Sequence, residues 1–235
     1  MRRQLGFFLC FAVLVLPAID TSSGRAHQPG KGVGVRCLTE DQLAKAVQSL
    51  SQAYNEAQMA QRLLRQSSRR SSTCRKQIIA AVMKAMDKPD LDISRDQASA
   101  DLWREGAVLL GDLKATQSLD LLLSHITMTD GEWSSTMVHQ PALEGIIRMG
   151  PVAIPKLQKL LRNQDWQTRH DAVFCIANIG GPPALRAIKA AVSNESHSCV
   201  KGLMLASIQA IDVKHGGIKA DNGEWAKAFM CYSPS

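Results

Sequence analysis

The sequence predicts an all-α protein: an α-solenoid, or α-α superhelix, of about four helix pairs with a capping helix at its N-terminal end. Apolar residues recur at steps of three and four along most of the chain, which is the spacing of one helix face. The pattern also repeats itself about every 31–33 residues, a period typical of helical repeat proteins. Aromatic residues make up only 5% of the 235 residues, so the core must be built from aliphatic side chains, which suit helix packing.

The start of the chain has the three-part form of a secretory signal peptide. Arg2 and Arg3 precede an unbroken small and apolar run, residues 5–16, and a polar stretch follows it. The run is shorter than the roughly 20 residues that a helix needs to span a bilayer. We therefore expect export to the periplasm or the extracellular space, with cleavage after Gly24 or Ala26. A membrane anchor that stays uncleaved is the alternative.

Removal of this peptide takes away three cationic side chains and one acidic one, so the formal charge falls from +7 to +5. A mildly basic exported protein attracts acidic partners at long range, and nucleic acid is not an expected partner outside the cytoplasm. The pattern then divides the chain into five parts: a signal peptide over 1–26, a flexible leader over 27–37, a long helix and basic turn over 38–74, repeats over 75–212 and a C-terminal cap over 213–235.

One long helix is predicted from Thr39 to Arg65. Thr39 and Gln42 have the spacing of a capping box at its start. Its apolar residues follow one stripe, which favours a helix that caps one end of the repeats, and a dimerising helix is the alternative. The basic turn that follows is interpreted as a solvated loop, with weak contact to an anionic surface as the other interpretation. Its cations are Arg65, Arg69, Arg70, Arg75 and Lys76.

The clearest repeat unit spans residues 149–180 and has two helical halves joined by a short Asn-Gln-Asp turn. Gly150 and Gly180 stand where a helix pair ends, and Pro151 follows in the first turn of the next helix, where a missing N–H is harmless. The four predicted pairs are 75–87 with 97–112, 116–128 with 135–149, 151–162 with 167–179, and 182–193 with 198–212.

This unit resembles the HEAT-repeat family. The family pattern is Gly-Pro-x-Ala-hydrophobic-Pro-x-Leu, then an Asp or Asn turn, then a second helix that contains Arg and Ala and ends in Ile-Gly. The matching residues are Gly150, Pro151, Ala153, Ile154, Pro155, Leu157, Asp165, Arg169, Ala172, Ile179 and Gly180. The resemblance covers residues 75–212, about 60% of the chain, and the other units match loosely. It implies stacked helix pairs, with a concave face of second helices that holds a protein partner.

The residues expected to contact that partner are the outward positions of the second helices. They are Glu144, Arg148, His170, Phe174, Asn178, Lys201 and Leu205. Phe174 is the most suggestive, because an exposed aromatic side chain is a typical binding anchor. Packing against a neighbouring unit is the alternative for Phe174. Arg169 is expected to brace the turn that begins its helix.

No pattern in the chain predicts catalysis, a cofactor or a metal. Deoxyhypusine hydroxylases, a HEAT-like enzyme group, bind iron on repeated His-Glu pairs, and this chain has neither such a pair nor His-x-x-x-His spacing. The acidic loop 87–97 lacks the Gly and Glu of a calcium-binding loop. We therefore expect a non-enzymatic protein-binding scaffold or adaptor. The alternatives are a lyase-like chaperone that resembles phycobilin lyases, which share this repeat, and a membrane-anchored adaptor.

Five cysteines follow the signal peptide, and an odd number leaves at least one thiol unpaired or intermolecular. Cys37 and Cys74 are predicted at opposite ends of a helix of about 26 residues, nearly 40 Å long, so no bridge is expected between them. Cys175 and Cys199 are predicted at different heights on neighbouring helices, and a bridge between these two is not expected either.

Overall fold

The structure is a computed structural model that describes residues 36–89, 91–129, 140–214 and 216–219. Within these ranges the regular structure is helical, and the one extended pairing is an isolated bridge between Ile211 and Ile218. The predicted all-α class is therefore confirmed. The predicted signal peptide and most of the C-terminal cap lie outside the described residues.

The described ranges contain α-helices from six to 16 residues long. They are α1 (Glu40–Gln48), α2 (Tyr54–Ser68), α3 (Ser72–Met86), α4 (Gln97–Asp112), α5 (Leu119–Ser124), α6 (Pro141–Met149), α7 (Ile154–Leu160), α8 (Trp166–Ile179), α9 (Gly181–Ala191) and α10 (Ser198–Ala210). Short 3-10 turns follow α1 and α9 and precede α5 and α7.

The segment from Thr39 to Arg65 is two helices, so the prediction of one long helix was wrong. The predicted capping box does form: the Thr39 hydroxyl accepts a hydrogen bond from the Gln42 amide, and the Gln42 side chain accepts one from the Thr39 amide. The helix then breaks in a 3-10 turn, which packs on α4 and fully buries Leu50. Burial of this leucine favours the break.

The break lets α2 run back along α1, and this brings Cys37 and Cys74 together. Their Cα atoms are 5.1 Å apart and the two residues form a disulfide. The expectation of no bridge was wrong because it assumed a straight helix. Cys199 is also disulfide-bonded, whereas Cys175 is a buried free thiol, so these two do not pair, as predicted.

The later helices pack in pairs and in a row. Each pair consists of consecutive helices: α3 packs on α4, α5 on α6, α7 on α8 and α9 on α10. The second helices of these pairs also form a row, in which α4 contacts α6, α6 contacts α8 and α8 contacts α10. Gly150 and Gly180 end α6 and α8 with positive φ angles of 77° and 68°, a conformation that favours glycine. The predicted helix stops at these two residues are therefore confirmed.

Helix α8 is enclosed by its neighbours. It packs against α6, α7, α9 and α10, and the side chains of residues 170–177 are each no more than 3% exposed. Such burial favours apolar residues on every face, which explains the unbroken Ala-Val-Phe-Cys-Ile-Ala run that follows the buried His170 and Asp171 in this helix. Helix α8 therefore forms the centre of the C-terminal half of the described core.

Candidate partner-binding surface

Two of the predicted contact residues lie in the core. His170 is fully buried and Phe174 is 3% exposed. The prediction that they face outward was wrong because α8 is covered by α6, α9 and α10 as well as by α7. Phe174 packs against neighbouring helices, which was the alternative interpretation. His170 contacts Asp171 through its Nδ1 atom, 3.2 Å from Oδ1, so it takes part in a buried polar cluster.

Two other predicted residues, Glu144 and Arg148, form an ion pair on α6, with Nη2 2.6 Å from Oε1. Arg148 also pairs with Asp112 of α4 at 2.9 Å, and Asp112 pairs with Arg65 of α2 at 2.8 Å. Burial alone would lower the pKa of Arg148, but the hydrogen bonds that it donates to the Glu144 and Asp112 carboxylates raise it. These four side chains therefore connect α2, α4 and α6.

The same network continues to Glu105 on α4, which accepts a 2.5 Å hydrogen bond from Gln61 of α2. Burial raises the pKa of Glu105; the Arg104 cation opposes this rise, and the charges of Asp101 and Glu144 add to it. Because its two arginines pair with Asp112 and Glu144 and its Glu105 is hydrogen-bonded by Gln61, the network holds three helices together.

The remaining predicted contact residues are separated from this network. Asn178 is half-buried and donates a hydrogen bond to the Phe174 carbonyl. Lys201 and Leu205 are exposed on α10, and the enclosed helix α8 lies between α10 and α6. The structure brings Glu144 and Arg148 together, but it does not join them to Lys201 and Leu205 in one accessible face.

The cations of the predicted basic turn divide into two groups. Arg65 is held by Asp112, and Arg75 donates to the Leu113 carbonyl. Arg70 donates weakly to a backbone carbonyl near the start of α1, while Arg69 and Lys76 remain exposed. The turn therefore keeps only part of the charge that the sequence suggested for an anionic surface.

A groove of about 860 Å³ lies between the C-terminal end of α7 and the loop that joins α9 to α10. Its lining includes three alanines of α9 and several polar side chains. The lining residues that could donate or accept hydrogen bonds are Gln158, Lys159, Arg162, Asn163, Gln164, Arg169, Asn194, Glu195 and Ser196. The sequence analysis did not identify this groove.

One wall of the groove is fixed by Arg169. Its Nε and Nη2 atoms lie 2.8 and 2.9 Å from the two Glu195 carboxylate oxygens, and its Nη1 donates to the Asn163 and Gln164 carbonyls. Arg169 therefore braces the turn before α8, as predicted, and ties it to the α9–α10 loop. Burial alone would raise the pKa of Glu195, but the Arg169 and His197 hydrogen bonds outweigh it and lower the pKa.

Two of the cations that line the groove form no ion pair with any described residue. Lys159 and Arg162 line it, and Arg186 and Lys189 are exposed on the adjoining helix α9. None of the four takes part in the ion pairs found among the described residues. A sequence signal for this surface does exist: neither α7 nor α9 contains an acidic residue.

The described residues contain no group of three or more His, Cys, Asp and Glu side chains placed to hold a metal ion. No helix in the same ranges is long and apolar enough to cross a bilayer. Comparisons with protein-family models, curated proteins and solved structures give no match to this chain.

Proposed function

We propose that this chain is an exported, non-enzymatic scaffold or adaptor, and that it holds an acidic segment of a partner protein in the groove beside α7. The observation that carries the proposal is the presence of two cations, Lys159 and Arg162, that line a groove with a fixed wall and form no ion pair among the described residues. Cations without an acidic neighbour attract anionic groups over a distance of about 8 Å at physiological salt.

The lining of the groove suits a peptide in an extended conformation. The side-chain amides of Gln158, Asn163 and Asn194 can donate to peptide carbonyls and accept from peptide N–H groups. Arg169 and Glu195 satisfy each other and hold the wall in place, so little ordering is required when a partner binds. These features favour a protein ligand over a small anion.

The packing of the helices supports a HEAT-like α-solenoid as the architecture of this scaffold. Helices α4, α6, α8 and α10 contact one another in sequence, as the second helices of stacked pairs do. Helices α1 and α2 stack on the next pair in the same way, because α1 contacts α3 and α2 contacts α4. We therefore propose that α1 and α2 form an additional pair at the end of the stack, in place of one capping helix.

The Cys37–Cys74 disulfide supports export, because such bonds persist mainly in oxidising compartments. Intact mass measurement of the protein from its native host tests this part of the proposal. A mature chain that begins after Gly24 or Ala26 is expected. A chain that keeps its first residues would favour the membrane-anchored alternative.

Charge reversal in the groove tests the binding surface. The double variant Lys159→Glu/Arg162→Glu should bind an acidic probe, a fluorescent poly-glutamate peptide, at least about tenfold more weakly than the unaltered protein, because the attraction becomes repulsion. Fluorescence anisotropy at two salt concentrations measures the affinity, and binding should weaken as salt rises.

The control is Lys84→Glu/Lys88→Glu, which makes the same change in net charge at exposed positions outside the groove. This control should retain the affinity within about twofold. Equal losses in both double variants would show that only net charge matters. If Arg148→Glu lost binding and the groove variant did not, the binding site would be the face of the second helices that the sequence analysis predicted, and not the groove.

A further inference from the structure

Cys199 is disulfide-bonded, and the described residues do not contain its partner. Of the other described cysteines, two bond to each other and one is a buried free thiol. The chain has six cysteines, so Cys10 and Cys231 are the two that remain. The partner of Cys199 is therefore one of these two or a cysteine of another molecule.

Two of these three partners are disfavoured. The inference rests on the proposed export in one respect, because Cys10 lies in the signal peptide that cleavage removes. A cysteine of another molecule would have to reach the first turn of α10, where Cys199 is only 6% exposed. Disulfide exchange between molecules requires an accessible sulfur. Cys231 is then the partner that is left.

The course of the backbone after α10 brings Cys231 within reach of Cys199. The Lys219 amide donates to the Ala210 carbonyl at 2.8 Å, and its Nζ atom donates to the Gln209 carbonyl at 3.0 Å. Lys219 therefore lies at the C-terminal end of α10, roughly 16 Å along the helix axis from Cys199. The sequence from Lys219 to Cys231 would span about 18 Å as a helix and about 40 Å when extended, so it is long enough in either conformation.

We propose that Cys199 and Cys231 form a disulfide that ties the C-terminal segment of the chain to the start of α10. Each thiol loses one proton and one electron, and the two electrons reduce the disulfide of an oxidoreductase in the oxidising compartment to two thiols. Helices α9 and α10 are the last described pair, and the end of a helical stack needs a cover. The bond keeps the C-terminal segment at this end. It also lies next to the α7 groove, because the groove residue Ser196 precedes Cys199 by one helical turn.

Peptide mapping of the exported protein without reductant tests this pairing. Free thiols are alkylated first, so that disulfides do not exchange during digestion. Trypsin cleaves after Lys and Arg, which places Cys199 on peptide 190–201 and Cys231 on peptide 228–235. Mass spectrometry should find these two peptides as one linked species, and reductant should split it into the two.

The Cys37–Cys74 bond provides a control within the same digest, where peptide 37–45 should be linked to peptide 71–75. Cys231→Ser should leave the thiol of peptide 190–201 free for alkylation. Cys175→Ser is the matched control, since it removes a thiol that forms no disulfide, and it should keep the link.

The same map separates failure of the pairing from failure of the proposed export. Peptide 190–201 linked to peptide 4–25 would make Cys10 the partner and would also contradict cleavage of the signal peptide. In a chain that begins after Gly24 or Ala26, a peptide 190–201 that is alkylated, or linked to a second copy of itself, would overturn the pairing alone.

Discussion

Arg169 connects two turns that are far apart in the sequence. Its guanidinium binds two carbonyls of the α7–α8 turn and both oxygens of Glu195, 26 residues further along. The Glu195 side chain is only 3% exposed, so removal of the arginine would leave a carboxylate buried without its cation. Loss of one partner of a buried ion pair typically costs about 3–5 kcal/mol of stability.

We therefore expect Arg169→Met to lower the free energy of unfolding by about 3 kcal/mol at neutral pH. The pKa of Glu195 is lowered in the folded state, so its ionised form stabilises the fold above the ordinary glutamate pKa of about 4.3. That contribution is lost as the pH falls through the lowered value. The deficit of the variant should therefore shrink in acid.

Urea unfolding between about pH 3 and pH 7 measures this difference. Lys189→Met, which removes an exposed cation with no ion pair among the described residues, should change stability by no more than about 0.5 kcal/mol. A deficit that is equal at all pH values would show that packing of the arginine stem, and not the ion pair, is responsible.

Single residues also mark the limit of the sequence analysis. Helical spacing placed Phe174 and His170 on an outward face of an isolated helix pair, but exposure depends on every helix that surrounds α8. The bracing role of Arg169 was predictable because it involves carbonyls only five and six residues away. Glu195 as its partner was not, because that contact depends on how two helix pairs stack.

At the scale of elements, helices α4 and α6 cross in close contact. A Cβ atom on Gly145 would lie 2.6 Å from the Ala107 carbonyl oxygen, and one on Gly111 would lie 2.5 Å from the Gly145 carbonyl oxygen. The two backbones therefore touch, and only glycine fits at these positions. The Asp112–Arg148 pair lies beside this crossing and connects the same two helices.

Alanine substitution at this crossing should destabilise the fold although alanine favours helices. We expect Gly145→Ala to lower the free energy of unfolding by about 1–3 kcal/mol, because the added methyl group pushes the helices apart. Gly202→Ala on α10 is the matched control, since a Cβ there would have no neighbour within 4 Å. It should raise stability by about 0.5–1 kcal/mol. Chemical unfolding of both variants would separate these outcomes, and a stabilised Gly145→Ala would contradict the close contact.

Element boundaries were predictable where a local signal sets them. The glycine stops at Gly150 and Gly180 and the capping box at Thr39 needed only neighbouring residues. The break after α1 was not predictable in this way, because the apolar spacing continues through it. Its stabilising contact is the burial of Leu50 where this turn packs on α4, about 50 residues further along the chain.

At the scale of the whole molecule, the disulfide ties the start of α1 to the start of α3. It closes a loop with a sequence separation of 37, so α1 and α2 cannot move away from the rest of the helices by more than a short distance. In the chain-entropy account a loop of this length restricts the unfolded chain by about 4 kcal/mol.

We expect Cys37→Ser/Cys74→Ser to lose about 2–4 kcal/mol of stability, less than the entropy estimate if the unfolded state is compact. Urea unfolding measures the loss. Mild reduction should destabilise the unaltered protein more than this variant. Both proteins keep the disulfide of Cys199, but only the unaltered protein has the Cys37–Cys74 bond to lose. Equal sensitivity of the two proteins to reductant would mean that the Cys37–Cys74 bond does not form in solution.

The enclosure of α8 has a consequence for how the protein opens. A helix covered by four neighbours loses its amide protection only when those neighbours separate, so its amide protons should exchange with deuterium at the rate of global unfolding. Helix α1, which lies at one end and buries only Ala46 and Val47, should exchange much sooner. Deuterium uptake should therefore be faster in α1 than in α8, which makes α8 the last of the described helices to come apart.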